Sequence, residues 1–160
     1  MFGLFGNKKK DLEIDLPISG KVVDIAEVPD EVFSQKMMGD GVAIEPEGNV
    51  VTAPCDGQVV LLARTLHAVA LQAENGAEIL IHIGLDTVEL DGKGFTGHVS
   101  VGDKVRRGDK LITFDKTFIH EQGKPLITPI VVTNTDGRVE SIAKHLGANS
   151  QTIMQIKMRN

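Results

Sequence analysis

The chain is punctuated at short intervals, and this limits what it can fold into. Its apolar runs are brief and rich in Val and Ile, and Gly, Pro, Asn or Asp soon ends each one. Lys21–Ile25, Val42–Ile44, Gln58–Leu62, Ile79–Ile83, Lys110–Phe114 and Ile127–Thr133 are the clearest runs. Ser19-Gly20, Asp56-Gly57, Asn75-Gly76, Gly102-Asp103 and Gly108-Asp109 are the clearest breaks. Apolar runs of this length between turn residues read as strands. Many short strands at regular spacing predict an all-β antiparallel sandwich or barrel. Helical periodicity is scarce. Asp30–Met37 is expected to form one or two turns capped by Asp30, and Val139–Leu146 another.

Composition narrows the function. The 160 residues suit one domain, and 41% are hydrophobic, enough for a core. Lys and Arg number 17 against 22 Asp and Glu, a net charge of −5, which argues against a nucleic-acid partner. The aromatics are all Phe, so stacking platforms for bases are poorly supplied. The single cysteine, Cys55, rules out an intrachain disulfide and fits a reducing, cytoplasmic setting. No apolar run is long enough to span a membrane as a helix. At the start, Phe2, Leu4 and Phe5 precede Lys8, Lys9 and Lys10, the reverse of a secretory signal. Residues 1–11 are expected to be a flexible arm capable of weak contact with an anionic membrane surface. Residues 12–160 are expected to be a single domain, monomeric in solution.

A short motif occurs twice. Pro17-Ile-Ser-Gly20-Lys-Val22-Val23 and Pro54-Cys-Asp-Gly57-Gln-Val59-Val60 both read P-x-x-G-x-V-V. In each, Pro enters a turn, Gly permits an unusual backbone angle, and the valines begin a strand. Two equivalent units predict a pseudo-symmetric sandwich.

Of five histidines, two can be tied together. Asn75-Gly76 is a strong hairpin signal between Thr65–Ala73 and Ala77–Gly84. A two-residue turn there sets Val69 opposite His82, His67 opposite Gly84 and Thr65 opposite Asp86. Thr65, His67 and His82 then share one face, with the histidine backbones ~7–8 Å apart. A three-residue turn would put the histidines on opposite faces. Two chemistries suit such a pair. Zinc needs a third ligand, for which Asp86 or Glu89 is available, although no H-x-H or H-E-x-x-H spacing occurs. Alternatively, one neutral imidazole attacks a phosphoryl group while the other, oriented by Thr65, hydrogen-bonds its oxygens without any metal.

Residues throughout the chain resemble the glucose-type enzyme IIA component (EIIA) of the bacterial phosphoenolpyruvate:sugar phosphotransferase system. The most specific stretch runs from Gly76 through His82, Gly84, Asp86, Thr87 and Val88 to Leu90, and is similar to that family's phosphohistidine signature. Thr65-Leu66-His67-Ala68 is similar to its second-histidine motif. Glu27–Gly41, Ala53–Gly57, Gly92–Phe95 and Thr128–Val131 add further likeness. The resemblance implies an antiparallel β-sandwich with quasi-Greek-key connections and a few short helical turns. It implies that His82 carries the phosphoryl group on Nε2 and that the Gly84 carbonyl fixes its tautomer. His67 would bind the phosphoryl oxygens, and Thr65 would hold His67. The donor would be the phosphocarrier protein HPr, and the acceptor a cysteine on a IIB domain of a separate sugar permease. No cofactor or metal is implied.

Docking residues are expected around that histidine. Val32, Phe33, Met37, Met38, Leu80 and Val88 would supply apolar contact, with Met suited to varied partners. Asp30 and Asp86 would meet basic groups on those partners. Where some relatives carry phenylalanines, this chain has Ala63 and Leu80. Cys55, followed by Asp-Gly-Gln, looks like a turn residue and not a IIB cysteine. A phosphoryl at His82 would also switch the charge of the patch, so binding of regulatory targets is a further expectation.

Overall fold

The computed structural model describes residues 11–135, 137–148 and 150–159. The expected arm therefore lies outside the described residues except for Asp11, which already belongs to the first strand. Among the described residues, thirteen strands are β1 (Asp11–Asp15), β2 (Gly20–Asp24), β3 (Asp40–Pro46), β4 (Val50–Thr52), β5 (Gly57–Leu62), β6 (Ala68–Ala73), β7 (Glu78–His82), β8 (Phe95–Gly97), β9 (Lys104–Val105), β10 (Lys110–Phe114), β11 (Thr128–Val132), β12 (Val139–Lys144) and β13 (Thr152–Met158). Two short helices join them, α1 (Glu31–Ser34) and α2 (Lys116–Glu121), with 3-10 turns at Ile25–Glu27 and Thr87–Leu90. The pairings are antiparallel. A seven-stranded sheet runs β2-β3-β11-β7-β6-β5-β9, and two three-stranded sheets run β1-β13-β12 and β4-β10-β8.

The duplicated motif has a physical counterpart. Thr52 N–H donates to Pro17 O at 2.8 Å, and Asp15 N–H donates to Pro54 O at 2.9 Å. Asp15 and Thr52 each stand two residues before their own unit's proline and donate to the other unit's proline, so the two bonds are reciprocal. Val22 exchanges backbone bonds with Gly147, while Val59 N–H donates to Asp103 and Val59 O accepts from Gly102. The units lie side by side, with β2-β3-β11 and β7-β6-β5 joined at β11 and β7 in one large sheet that β9 extends at the β5 edge.

Period-two alternation divides the large sheet's side chains between two faces. Val42, Ile44, Val69, Leu71, Ile79, Ile81, Ile130 and Val132 enter the main core with Ile14, Ile112, Ile153 and Ile156 from the small sheets. The other face carries small or modest residues: Ala43, Ala68, Ala70, Leu80 and Val131. Ile25, Val28 and Phe33, from the first 3-10 turn, the loop after it and α1, cover that second face. The small alanines leave room there for rings.

Two expectations need correction. Val139–Leu146 is not helical. Its apolar positions 139, 142, 143 and 146 imitate a helix stripe, but Val139–Lys144 pairs along β13, placing Ile142 opposite Ile156. Ladder formation outweighs a weak local pattern. The helix at Lys116–Glu121 went unforeseen, although Asp115 marks it by accepting the Phe118 N–H at 3.0 Å.

A candidate phosphoryl-transfer site on two histidines

His82 is the last residue of β7 and lies on the second, alanine-rich face. Its partner in β6 is Ala68, and Ala70 opposes Leu80. The Asn75-Gly76 connection is therefore one residue longer than expected: Ala73 N–H donates to Ala77 O, and Gly76 N–H to Ala73 O. In that register, straight strands would send His67 and His82 to opposite faces. They meet because β6 does not extend back to His67. The chain turns before it, with Leu66 at φ 60°, and His67 swings onto the face of His82. Its carbonyl still accepts the Ile83 N–H at 2.7 Å. The imidazole centroids stand 5.0 Å apart, edge to face. The expected pairing is present, but a break in the strand produces it.

Both rings are held at Nδ1. His82 Nδ1–H donates to Gly84 O at 2.8 Å, so the lone pair of His82 lies on Nε2. His67 Nδ1 and the buried Thr65 Oγ1 are 2.6 Å apart. With the hydroxyl donating, His67 keeps its proton on Nε2 as a hydrogen-bond donor. Gly84 needs to be glycine: its φ is +73°, and a Cβ would lie 2.7 Å from Pro125 O and from the Thr87 methyl. Leu85 N–H donates to that same Pro125 carbonyl. Pro125 lies far along the chain, and nothing local in the sequence marks this contact.

Burial pushes both imidazoles below the usual histidine range. For His67 the neighbouring His82 adds to the effect. For His82 the Gly84 bond and the nearby carboxylates of Asp30 and Asp86 partly oppose it. Both rings are therefore predominantly neutral near pH 7, and His82 keeps an unprotonated Nε2.

The expected docking residues divide by burial. Val32, Met37, Met38 and Val88 are exposed, Met37 at 71%, an apolar patch beside the site. Phe33 and Leu80 are buried and support the patch from beneath. The Phe33 ring lies 5.0 Å from the His82 ring, tilted 57°. Asp30 also caps α1, its Oδ1 accepting the Val32 N–H at 2.9 Å. Asp86 is exposed, with φ 58°. Ala63 packs at the edge of the same face. Among the described residues, no three His, Cys, Asp or Glu gather as a metal centre would require, so neither Asp86 nor Glu89 completes a zinc site. Cys55 is fully buried, and burial raises its thiol pKa to about 12, which makes it unreactive. No helix among the described residues is long and apolar enough to cross a membrane.

Fold and site together define an antiparallel β-sandwich bearing two paired, half-buried imidazoles at the edge of an apolar patch. Residues 12–137 match the model of the phosphoenolpyruvate-dependent sugar phosphotransferase system, EIIA 1, and the chain belongs to that family. It is thus a phosphotransferase component that transfers phosphoryl groups in sugar uptake. A glucose-specific EIIA component of Bacillus cereus is 50% identical over 163 residues, covering 99% of this chain and 98% of the relative. That of Haemophilus influenzae is 41% identical, covering 98% and 96%. A mannose-specific EIIBCA component of Corynebacterium glutamicum is 45% identical over 93% of this chain and 22% of its own length. The solved glucose permease IIA from Mycoplasma capricolum superposes with a TM-score of 0.85 at 38% identity, covering 94% of this chain and 97% of that one.

Proposed function

We propose that His82 Nε2 accepts a phosphoryl group from phospho-HPr and passes it to a cysteine on a IIB domain of a separate sugar permease. The observation that carries this reading is the 2.8 Å bond from His82 Nδ1–H to Gly84 O. It keeps the proton on Nδ1, so that the Nε2 lone pair is the one that bonds phosphorus and is recovered when the group leaves. In acceptance, the bond from phosphorus to the donor breaks as the Nε2–phosphorus bond forms. In donation, a IIB thiolate attacks phosphorus, and His82 leaves as a neutral imidazole. His67 Nε2–H steadies the phosphoryl oxygens as the group leaves for IIB, and Thr65 holds that ring.

The exposed patch of Val32, Met37, Met38 and Val88 receives both partners in turn, and Asp30 and Asp86 set register against their basic groups. The IIB partner is supported by EIIBCA relatives, whose names join the three components in one protein. Glucose-specific relatives at high identity favour a glucose permease as the destination. We infer a monomeric, cytoplasmic carrier that needs no cofactor. Its domain is 12–160, and its short arm makes at most weak contact with an anionic membrane. A phosphoryl group at His82 would also alter binding of regulatory targets at the same patch.

The test is transfer from the phosphorylated protein to a panel of purified IIB domains. His67→Gln is expected to accept the phosphoryl group but to donate it roughly tenfold or more slowly. Normal sugar phosphorylation through His67→Gln would overturn the role given to His67.

A further inference from the structure

The bond that fixes the His82 tautomer depends on the aim of one backbone carbonyl, and that carbonyl sits in a turn held at several points. The Ile83 N–H donates to His67 O at 2.7 Å, and the Leu85 N–H donates to Pro125 O at 3.1 Å. The Ile83 carbonyl is held by a side chain. Thr87 is fully buried, and its Oγ1–H donates to Ile83 O at 2.6 Å. Its methyl fills the space that a Cβ on Gly84 would need, 2.7 Å away. Both peptide planes flanking Gly84 are thus anchored, one by Thr87 and one by Pro125. The backbone angles between two fixed planes are themselves fixed, and so is the direction of the Gly84 carbonyl.

We propose that Thr87 is a positioning residue for phosphoryl transfer, whose hydroxyl holds the Ile83–Gly84 peptide and so keeps the Gly84 carbonyl on His82 Nδ1. This rests on the reading of His82 as the phosphoryl acceptor. Thr87 does not touch the reacting atoms. Without its hydroxyl, the buried Ile83 carbonyl has lost its partner and the turn can relax to find another. Gly84, free of side-chain constraint at φ +73°, is the residue most able to rotate when that happens. Rotation would take the acceptor away from Nδ1. Tautomers with the proton on Nε2, which lack the nucleophilic lone pair there, would then be populated.

The test compares the wild type with Thr87→Val, Thr87→Ala and Thr87→Ser by two readouts. The first is the imidazole nitrogen spectrum of the unphosphorylated, 15N-histidine-labelled protein, with His82 assigned from His82→Gln. The second is the rate of phosphoryl acceptance from phospho-HPr. The wild type is expected to show His82 protonated on Nδ1 only. Thr87→Val and Thr87→Ala are expected to show mixed tautomers and roughly tenfold slower acceptance. Thr87→Ser, which keeps the hydroxyl, is expected to restore both. Lower melting temperatures in Val and Ala with tautomer and rate unchanged would make Thr87 purely structural and overturn the proposal. So would mixed tautomers in Thr87→Ser, a result that stands even if the other two variants do not fold. If the wild type takes no phosphoryl group at His82, the parent reading fails by itself, and the spectra still decide what Thr87 positions.

Discussion

The proposed role of His82 as a nucleophile requires a neutral ring. An imidazolium has no lone pair to offer, and burial against Phe33 and the alanine-rich face disfavours that form. The same burial acts on His67, and the neighbouring His82 adds to it. A direct NMR titration of the two imidazoles is therefore expected to give midpoints below the ~6.5 of an exposed histidine. A midpoint at or above that value for His82 would contradict this account of its electrostatics. The sign carries over to stability. The folded state binds fewer protons at these rings than the unfolded chain, so they favour folding fully above ~6.5, and the benefit is lost as pH falls through the folded midpoints. At this scale the sequence was highly legible. His67, His82, Thr65 and Gly84 were all named from spacing or family motif, and the structure brings all four together. The hairpin register differs by one residue from the expected one, with Ala68 and not Val69 opposite His82. A turn length cannot be read with that accuracy from Asn-Gly alone, and the left-handed Leu66 that restores the meeting has no signature in sequence.

The elements around the site are small and depend on what they pack against. Helix α1 has four residues and only Phe33 buried, too short to stand without its cap and its sheet. A lysine on the opposite sheet helps to hold its surroundings. Lys144 on β12 donates to Asp24 of β2 and to Asp40 of β3, at 2.7 Å each. Asp24 in turn caps the first 3-10 turn through the Ala26 N–H. The Lys144 ammonium holds the Asp24 carboxyl below its usual range, and the two carboxylates raise the lysine against the cost of its burial. Lys144→Ala is expected to cost about 1–2 kcal/mol, given that the carboxylates remain partly solvated. At this chain length that lowers the melting temperature by several degrees. An unchanged melting temperature would show that the network contributes nothing. β3, β7 and β11, in the middle of the large sheet, are legible to within two residues because burial on both faces leaves continuous apolar runs, whereas β6 begins at Ala68, three residues after the expected Thr65. β12 was not, because it lies at a sheet edge where Val139 alone is buried. Its identity comes from β13, not from its own residues.

At the scale of the whole molecule, duplication explains the form. The P-x-x-G-x-V-V pair seen in the sequence becomes two interlocked turns that exchange backbone bonds between Pro17 and Thr52 and between Pro54 and Asp15. Two three-strand units, with β9 added at one edge, then build one large sheet, and its inner face takes the bulky isoleucines. Symmetry stops at the outer face, where alanines in β3 and β6 open a shallow bed for the histidines. Clefts of 680 and 750 Å³ lie elsewhere, bordered by Arg107 and by Phe114. The site itself is an exposed rim around half-buried rings, a shape that suits protein partners. The net charge of −5, with Asp30 and Asp86 beside His82, gives those partners an acidic target. The central claim is that one atom, His82 Nε2, carries the phosphoryl group. It is tested most directly by incubating the protein with phosphoenolpyruvate, enzyme I and HPr and locating the label by phosphorus NMR and by acid lability. The account predicts one acid-labile phosphoryl group per chain, on Nε2 of His82, and none on His82→Ala. Undiminished labelling of His82→Ala, or a phosphoryl group found on another residue, would contradict it.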